Sequence, residues 1–446
     1  MSAKKHLKKN QKKRETRSKR LSDESIELRY ESRVKRIENE IYIYRLDHPA
    51  CVSSFLRALQ KGIKKGITEY KIIWKGEWVY PDACVPIAGI IAYYKENHSI
   101  KFEYEISSSS YLQHCGFLDP FCENADEIAN ELNPFNKLYR YSKSEQVAAL
   151  TQAYVDCLSR QTECSEGVLT GLIWCFNEIM DNVLVHSEAG QGFVMAQFHQ
   201  ASNTIAICVY DSGIGIYNSL RKSSHHPRNP MDAITLAIQE GIGDGKGQGN
   251  GLFGLYQIVS ENEGSLSITS GDSSIMLRSR KKMDKFSYIP CISDYFQSTA
   301  VDFMLKLDKS IDIKRAFQSI GGFDGFDIRI DNMLQDDDWV RYDVLANSTG
   351  TATRESGAAL RNDIINTITR TKTGIVLDFG SVKTVSSSFV DELIAKLFIR
   401  LTPITFNEVI RIVNMNEDVK FLCERSLYMR IHDEWSKRKG NSSLRE

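Results

Sequence analysis

The chain has no apolar run that approaches the ~20 residues needed to span a bilayer, and no signal peptide opens it. The expectation is therefore a cytoplasmic protein with no membrane partner. Ten cysteines are scattered along it without a single C-x-x-C pair. That spacing indicates neither a zinc module nor a disulfide framework, so reduced thiols are the simple reading. No Gly-Lys-Ser/Thr triplet closes its glycine-rich stretch, which excludes a Walker A loop.

What is present begins with an asymmetry of charge. The net charge is zero, yet residues 1–20 hold ten Lys or Arg and one Glu, so the remainder carries the balancing negative charge. A basic, nearly apolar-free tail over residues 1–25 is expected to be disordered. Contact with nucleic acid and simple solubilisation both fit such a tail. No base-reading module follows it, so nucleic acid is not the favoured partner. With 446 residues, 42% hydrophobic and 26% charged, the rest is globular and long enough for roughly two to four domains.

Three short motifs stand out in the middle. Leu169, Leu172, Ile173, Phe176, Ile179, Met180 and Val183 recur at spacings of three and four, which predicts an amphipathic helix. Glu178 and Asn182 are four apart beside that stripe, and so share a face. Next, Thr204 to Tyr210 reads as a buried strand that runs into Asp211-Ser-Gly213-Ile-Gly215. Last, Gly241 to Gly251 has glycine at every second position and leads into a helical pattern at Leu252, Leu255, Ile258 and Val259. Glycine amides ahead of a helix N-terminus make a phosphate cradle. Taken singly, each motif also has a plain reading: a polar pair on an ordinary helix, an Asp-Ser-Gly turn, a solvated loop with Lys246 as a loop lysine.

Their order and separation resemble the N, G1 and G2 boxes of the GHKL superfamily, the gyrase, heat-shock chaperone, histidine-kinase and MutL ATPases. The resemblance implies that the chain binds ATP and Mg2+. In that family a carboxylate at the position of Glu178 polarises the attacking group, and the amide oxygen at Asn182 binds the magnesium ion. The carboxylate at Asp211 accepts from the adenine amine, while Gly213 and Gly215 let backbone approach the ring. Gly247, Gly249, Gly251 and Leu252 correspond to the phosphate-binding box. Thr299 stands where the family has a Gly-Thr strand at the pocket edge, although Ser298 replaces the glycine. Residues 216–250 correspond to the ATP lid, with a helical patch at Met231 to Ile238. His225 and His226 lie there without a third ligand at metal spacing, and read as loop residues.

Two further units flank this one. Residues 26–125 read as a small α/β layer, with strands at Ile41, Lys71 and Lys101 and helices over Cys51 to Lys61 and Val85 to Lys95. Its order loosely resembles a STAS-like fold, and an unrelated α/β interaction domain fits as well. Residues 336–440 carry strands at Arg341 to Asn347, Gly374 to Phe379 and Val409 to Val413, with a helix over Ser356 to Arg370. The run Val385-Ser-Ser-Ser-Phe-Val-Asp-Glu-Leu makes this unit resemble the STAS-like domain found beside GHKL ATPases. In anti-anti-sigma proteins that turn carries the phosphorylated serine, and Ser386, Ser387 and Ser388 occupy it here. Ser388 with Asp391 three residues later is equally an ordinary helix cap.

The expected fold is therefore α+β: a central GHKL (Bergerat-type) α/β sandwich over residues 140–310, flanked by two small STAS-like units. Two functions follow from the resemblance. One is a regulatory ATPase or serine kinase of the anti-sigma type, with a protein partner bound through the STAS-like surfaces; His186 follows Asn182 by four, as in anti-sigma kinases. The other is an ATP-gated clamp, a homodimer or scaffold in a bacterial defence or DNA-processing complex, with little or no turnover.

Overall fold

Alternating apolar residues build three sheets, and the helices between the strands decide which faces are covered. The computed structural model describes residues 31–105, 111–245, 250–278, 282–287, 297–316, 330, 333–335 and 339–442. The basic tail lies outside the described residues.

The first sheet runs β1 (Val34–Ile37), β2 (Glu40–Ile43), β3 (Glu69–Trp74) and β4 (Lys101–Glu105), in that spatial order. β1 and β2 form a hairpin, whereas β2, β3 and β4 are parallel and joined by α1 (Ala50–Ile63) and α2 (Pro81–His98). The strand period of two puts Ile41, Ile43, Tyr70, Ile72 and Phe102 in the core. α2 is buried almost all round, because its far side lies on a second sheet. A Cβ on Gly89 would sit 2.3 Å from the Tyr210 ring, so only glycine allows that approach.

The second sheet has seven antiparallel strands: β5 (Tyr139–Tyr141), β6 (Gly192–His199), β7 (Thr204–Asp211), β8 (Ser265–Ser270), β9 (Ser273–Arg278), β10 (Lys282–Phe286) and β11 (Thr299–Lys306). Their order is β10-β9-β8-β11-β7-β6-β5. One face is covered by α2, against Phe193, Met195, Cys208 and Tyr210. The other packs Ile205, Ile207 and Val209 against α3 (Ser144–Gln161) and α4 (Val168–His186). α5 (Gly215–Arg221) and α6 (Pro230–Ala237) follow β7 and share a small core of Leu220, Ala233 and Ala237. α7 (Gly251–Glu261) then returns to the α3–α4 layer. α4 comes closer to a membrane span than the sequence reading allowed: its length and a mean hydropathy of 1.3 would suffice. Most of its apolar residues are instead buried among α3, α7 and the sheet, with Val185 left exposed.

The third sheet is parallel, in the order β12 (Val340–Asp343), β13 (Ile375–Asp378), β14 (Ile410–Val413). β12 stops four residues short of the expected Asn347. The Asp343 carboxylate accepts from the backbone N–H groups of Leu345 and Ala346, at 3.0 and 2.9 Å, and turns the chain. α8 (Arg354–Thr371) connects β12 to β13. Between β13 and β14 come α9 (Ser387–Val390), a π-helical turn (Asp391–Ala395), α10 (Lys396–Leu401) and α11 (Pro403–Val409). α12 (Glu417–Ser442) ends the described chain. The architecture is mixed α+β.

Candidate functional site

One end of the seven-stranded sheet gathers most of the residues singled out in the sequence. α4 forms because its apolar stripe faces the core, and this leaves Glu178, Asn182 and His186, each four residues on, half-buried along one edge. The first turn of α7 lies on that edge. A Cβ on Gly251 would be 2.9 Å from both Glu178 Oε2 and Asn182 Nδ2, so any larger residue here would make those two side-chain ends shift. Gly254, one turn on, lies against Trp174, where a Cβ would come within 2.1 Å of the indole. These two glycines fix α7 to α4.

The free N–H groups of an α-helix N-terminus are thus held beside a carboxylate and an amide. The Asn250 side chain does not cap α7; its Oδ1 accepts from Gly241 N at 2.9 Å and closes the glycine-rich loop on itself. Burial, and after it the charge of Asp181, push the Glu178 carboxyl above its usual range, while His186 opposes them. Leu252 packs between the large core and the small core of α5 and α6. Lys246, Gly247 and Gly249 lie outside the described residues.

Asp211 ends β7 and is 4% exposed. Its Oδ1 accepts from Gly213 N at 2.8 Å. Burial raises its carboxyl to about 7, against the pull of that N–H. The turn is tied to the end of α4, where Ile214 N donates to Ser187 O at 2.8 Å. A Cβ on Gly213 would lie 2.1 Å from the same carbonyl. Gly215 has a φ of +73°, the left-handed region in which a side chain is strained.

Thr299 opens β11 between two partners, facing Asp211 across one ladder and Ser270 across the other. Residues directly opposite in an antiparallel pair share a face. Ser270 Oγ is 3.2 Å from Thr299 Oγ1 and accepts from Ile216 N at 2.8 Å. One hydroxyl therefore links the turn after Asp211 to Thr299.

Two residues not singled out earlier also belong here. Asp244 Oδ2 is 2.8 Å from His186 Nδ1 and accepts from Ser219 Oγ at 2.8 Å. This carboxylate holds the glycine-rich loop to the ends of α4 and α5. Its signal was that it is the lone acid between Gly241 and Gly251. Among the described residues no group of three His, Cys, Asp or Glu could hold a metal ion, and His225 and His226 lie on the loop between α5 and α6.

The three serines lie apart from this site, at the start of α9. The cap is Ser386, not Ser388: Ser386 Oγ accepts from Phe389 N at 3.0 Å. Ser388 bonds the Ser386 hydroxyl at 3.0 Å, and Asp391 is paired with Arg430. Ser387 is the exposed one.

No curated protein and no solved structure matches the chain. A family model does match within the third unit: residues 356–420, from α8 into α12, fit the STAS-like domain of unknown function (DUF4325), so this part of the chain is STAS-like.

Proposed function

We propose that the protein is an ATP-binding regulatory protein of the GHKL type, in which the nucleotide state of the seven-stranded unit controls the STAS-like surface. The observation that carries this reading is the placement of Gly251 over Glu178 and Asn182, with Asp211 and Thr299 at the same end of the sheet. Motifs separated by tens of residues come together there, and at Gly213 a Cβ would collide with the Ser187 carbonyl.

The donor set fits Mg-ATP. Asn182 offers an oxygen ligand of the kind magnesium takes, and the N-terminus of α7 offers N–H groups to phosphate oxygens. Asp211 is a buried acceptor for an exocyclic amine, and Thr299 lies beside it. Bound ATP would supply an electrophilic phosphorus. This chain's own part is to orient it and to hold a proton acceptor, Glu178, whose carboxyl is raised by burial. Asp244, bonded to His186 and Ser219, ties the lid to the same helix that carries Glu178. Serine phosphotransfer is the enzymatic form of the proposal.

The test is binding and turnover of ATP by three proteins. Wild type binds and turns over. Asn182→Ala loses binding, and Glu178→Ala keeps binding within a few fold while turnover drops by at least a hundredfold. Binding without turnover in wild type, with dimers formed only in ATP, would point to the clamp. Calorimetry showing no heat on adding ATP and magnesium to wild type would end the proposal.

A further inference from the structure

His186 stands one turn beyond Asn182 on α4, and a residue far along the chain holds its ring. Its Nδ1 is 2.8 Å from Asp244 Oδ2, and the same oxygen accepts from Ser219 Oγ at 2.8 Å. An ionised carboxylate only accepts, so the imidazole carries a proton on Nδ1. The Asp244 side chain is 5% exposed, and Ser219 is buried beside it. A charge so far from water is tolerated where donors meet it, and here α4 and α5 each supply one.

Packing does not hold this stretch. Gly241 and Gly245 flank Asp244 with φ of +71° and +86°, and a Cβ on either would touch nothing within 4 Å. Hydrogen bonds hold it instead: Asn250 Oδ1 accepts from Gly241 N, and Asp244 reaches the two helices. Seven residues after Asp244 the chain enters α7 at Gly251, against Glu178 and Asn182. Asp244 and Gly251 therefore fasten the chain to one edge of α4 at two places, within the roughly 12 Å that separate Glu178 from His186 along the helix axis.

We infer that His186 and Asp244 are positioning residues for the polyphosphate end of a nucleotide bound here, an inference that rests on the ATP reading above. By pinning Asp244 to α4, the pair fixes the direction from which the chain enters α7. That aims the free N–H groups of the helix at oxygens held beside Asn182. The gain is preorganisation: order that the ligand would otherwise have to impose is already in place. The base end is built separately. Asp211 is held by Gly213 N, and the turn after it by Ser187 O and Ser270 Oγ, through hydrogen bonds that do not pass through Asp244. Loss of the pair is therefore felt at the phosphates and not at the adenine ring.

The experiment is calorimetric titration of the full chain with Mg-ATP and with adenosine. Asp244→Ala and His186→Ala, each checked for unchanged circular dichroism, are expected to weaken ATP binding by about tenfold or more, while adenosine stays within about twofold. The double variant is expected to be no weaker than either single one, because both remove the same contact. His186→Asn, whose amide donates from near the Nδ1 position, should recover ATP affinity to within about threefold of wild type. Unchanged ATP affinity in the alanine variants, equal losses for ATP and adenosine, additive losses in the double variant, or His186→Asn as weak as His186→Ala would each overturn the inference and leave the ATP reading standing. A wild type that binds neither ligand would overturn the ATP reading itself, and this inference with it.

Discussion

Ser159 donates a 2.7 Å hydrogen bond to the Asp363 carboxylate, although 204 residues separate them. The bond is buried between α3 and α8, and Tyr342 OH donates to the other carboxylate oxygen at 3.1 Å. Asn366, one turn along α8, accepts from Cys164 N at 2.7 Å and donates to the carbonyls of Ser159 and Thr162 at 2.9 and 2.7 Å. All the backbone groups it touches belong to the end of α3 and the segment leading to α4. The STAS-like helix is therefore built into the segment that positions Glu178 and Asn182.

Removing that junction should separate the two units. Asn366→Leu leaves one buried N–H and two carbonyls without partners, a cost of about 2–4 kcal/mol. Asp363→Ala should cost less, because the Ser159 hydroxyl loses its carboxylate partner while Tyr342 OH keeps Thr367 at 2.8 Å. The expected result in chemical denaturation is a lower midpoint, with the third unit becoming sensitive to protease before the seven-stranded unit. A single unchanged transition in both variants would mean that the junction carries no coupling.

Gly251 gives a sharper test of the proposed pocket. Gly251→Ala places a methyl 2.9 Å from Glu178 and Asn182, so α7 must lift or both side chains must turn away. ATP affinity is expected to fall at least tenfold. Gly245→Ala is the control: its φ is +86° with nothing within 4 Å, so the change brings backbone strain of about 1 kcal/mol and no collision. Equal affinity losses in the two variants would argue against a contact at Gly251.

Much of this was legible in the sequence, and the parts that were not have physical causes. β7 could be read because it is apolar on both faces. What covers the second face could not, since the packing of Gly89 on Tyr210 joins segments with no common periodicity. The convergence of Thr299 on Asp211 is a matter of strand order, and strand order is not written in local spacing. The cap among three consecutive serines depends on which residue is the last to stay in the extended region. That residue is Ser386, with ψ of 153°. Asp244 is harder still, because a lone acid among glycines looks the same whether it is solvated or bonded to His186.

The serines yield a prediction of their own. In any transfer from γ-labelled ATP to this chain, Ser387 is expected to be the acceptor, because it is exposed while Ser386 and Ser388 bond each other. Ser387→Ala should abolish the label. Ser386→Ala should keep it while losing the cap, about 1 kcal/mol of stability. Mass spectrometry that finds phosphate on Ser386 in the wild type would contradict this assignment.

In the proposed pocket, Asp211 would make nucleotide affinity depend on pH in a defined direction. Burial raises its carboxyl from 3.8 to about 7 in the free protein, and an adenine amine needs the ionised form as acceptor. Affinity should be flat above about pH 7 and should fall by about tenfold for each unit below it, with one proton linked to binding. Stability runs the other way. A carboxyl whose folded pKa exceeds its unfolded value stabilises fully below the unfolded pKa of about 4, and that stabilisation is lost as pH rises through about 7, on the order of 4 kcal/mol at most. Asp211→Asn cannot ionise, so relative to wild type it should gain stability between about pH 5 and pH 8 while losing ATP binding at both. Calorimetric titrations of ATP, paired with denaturation of both proteins at those two values, read the two signs separately. If wild-type affinity proves independent of pH across this range, the buried carboxylate is not the group that meets the base.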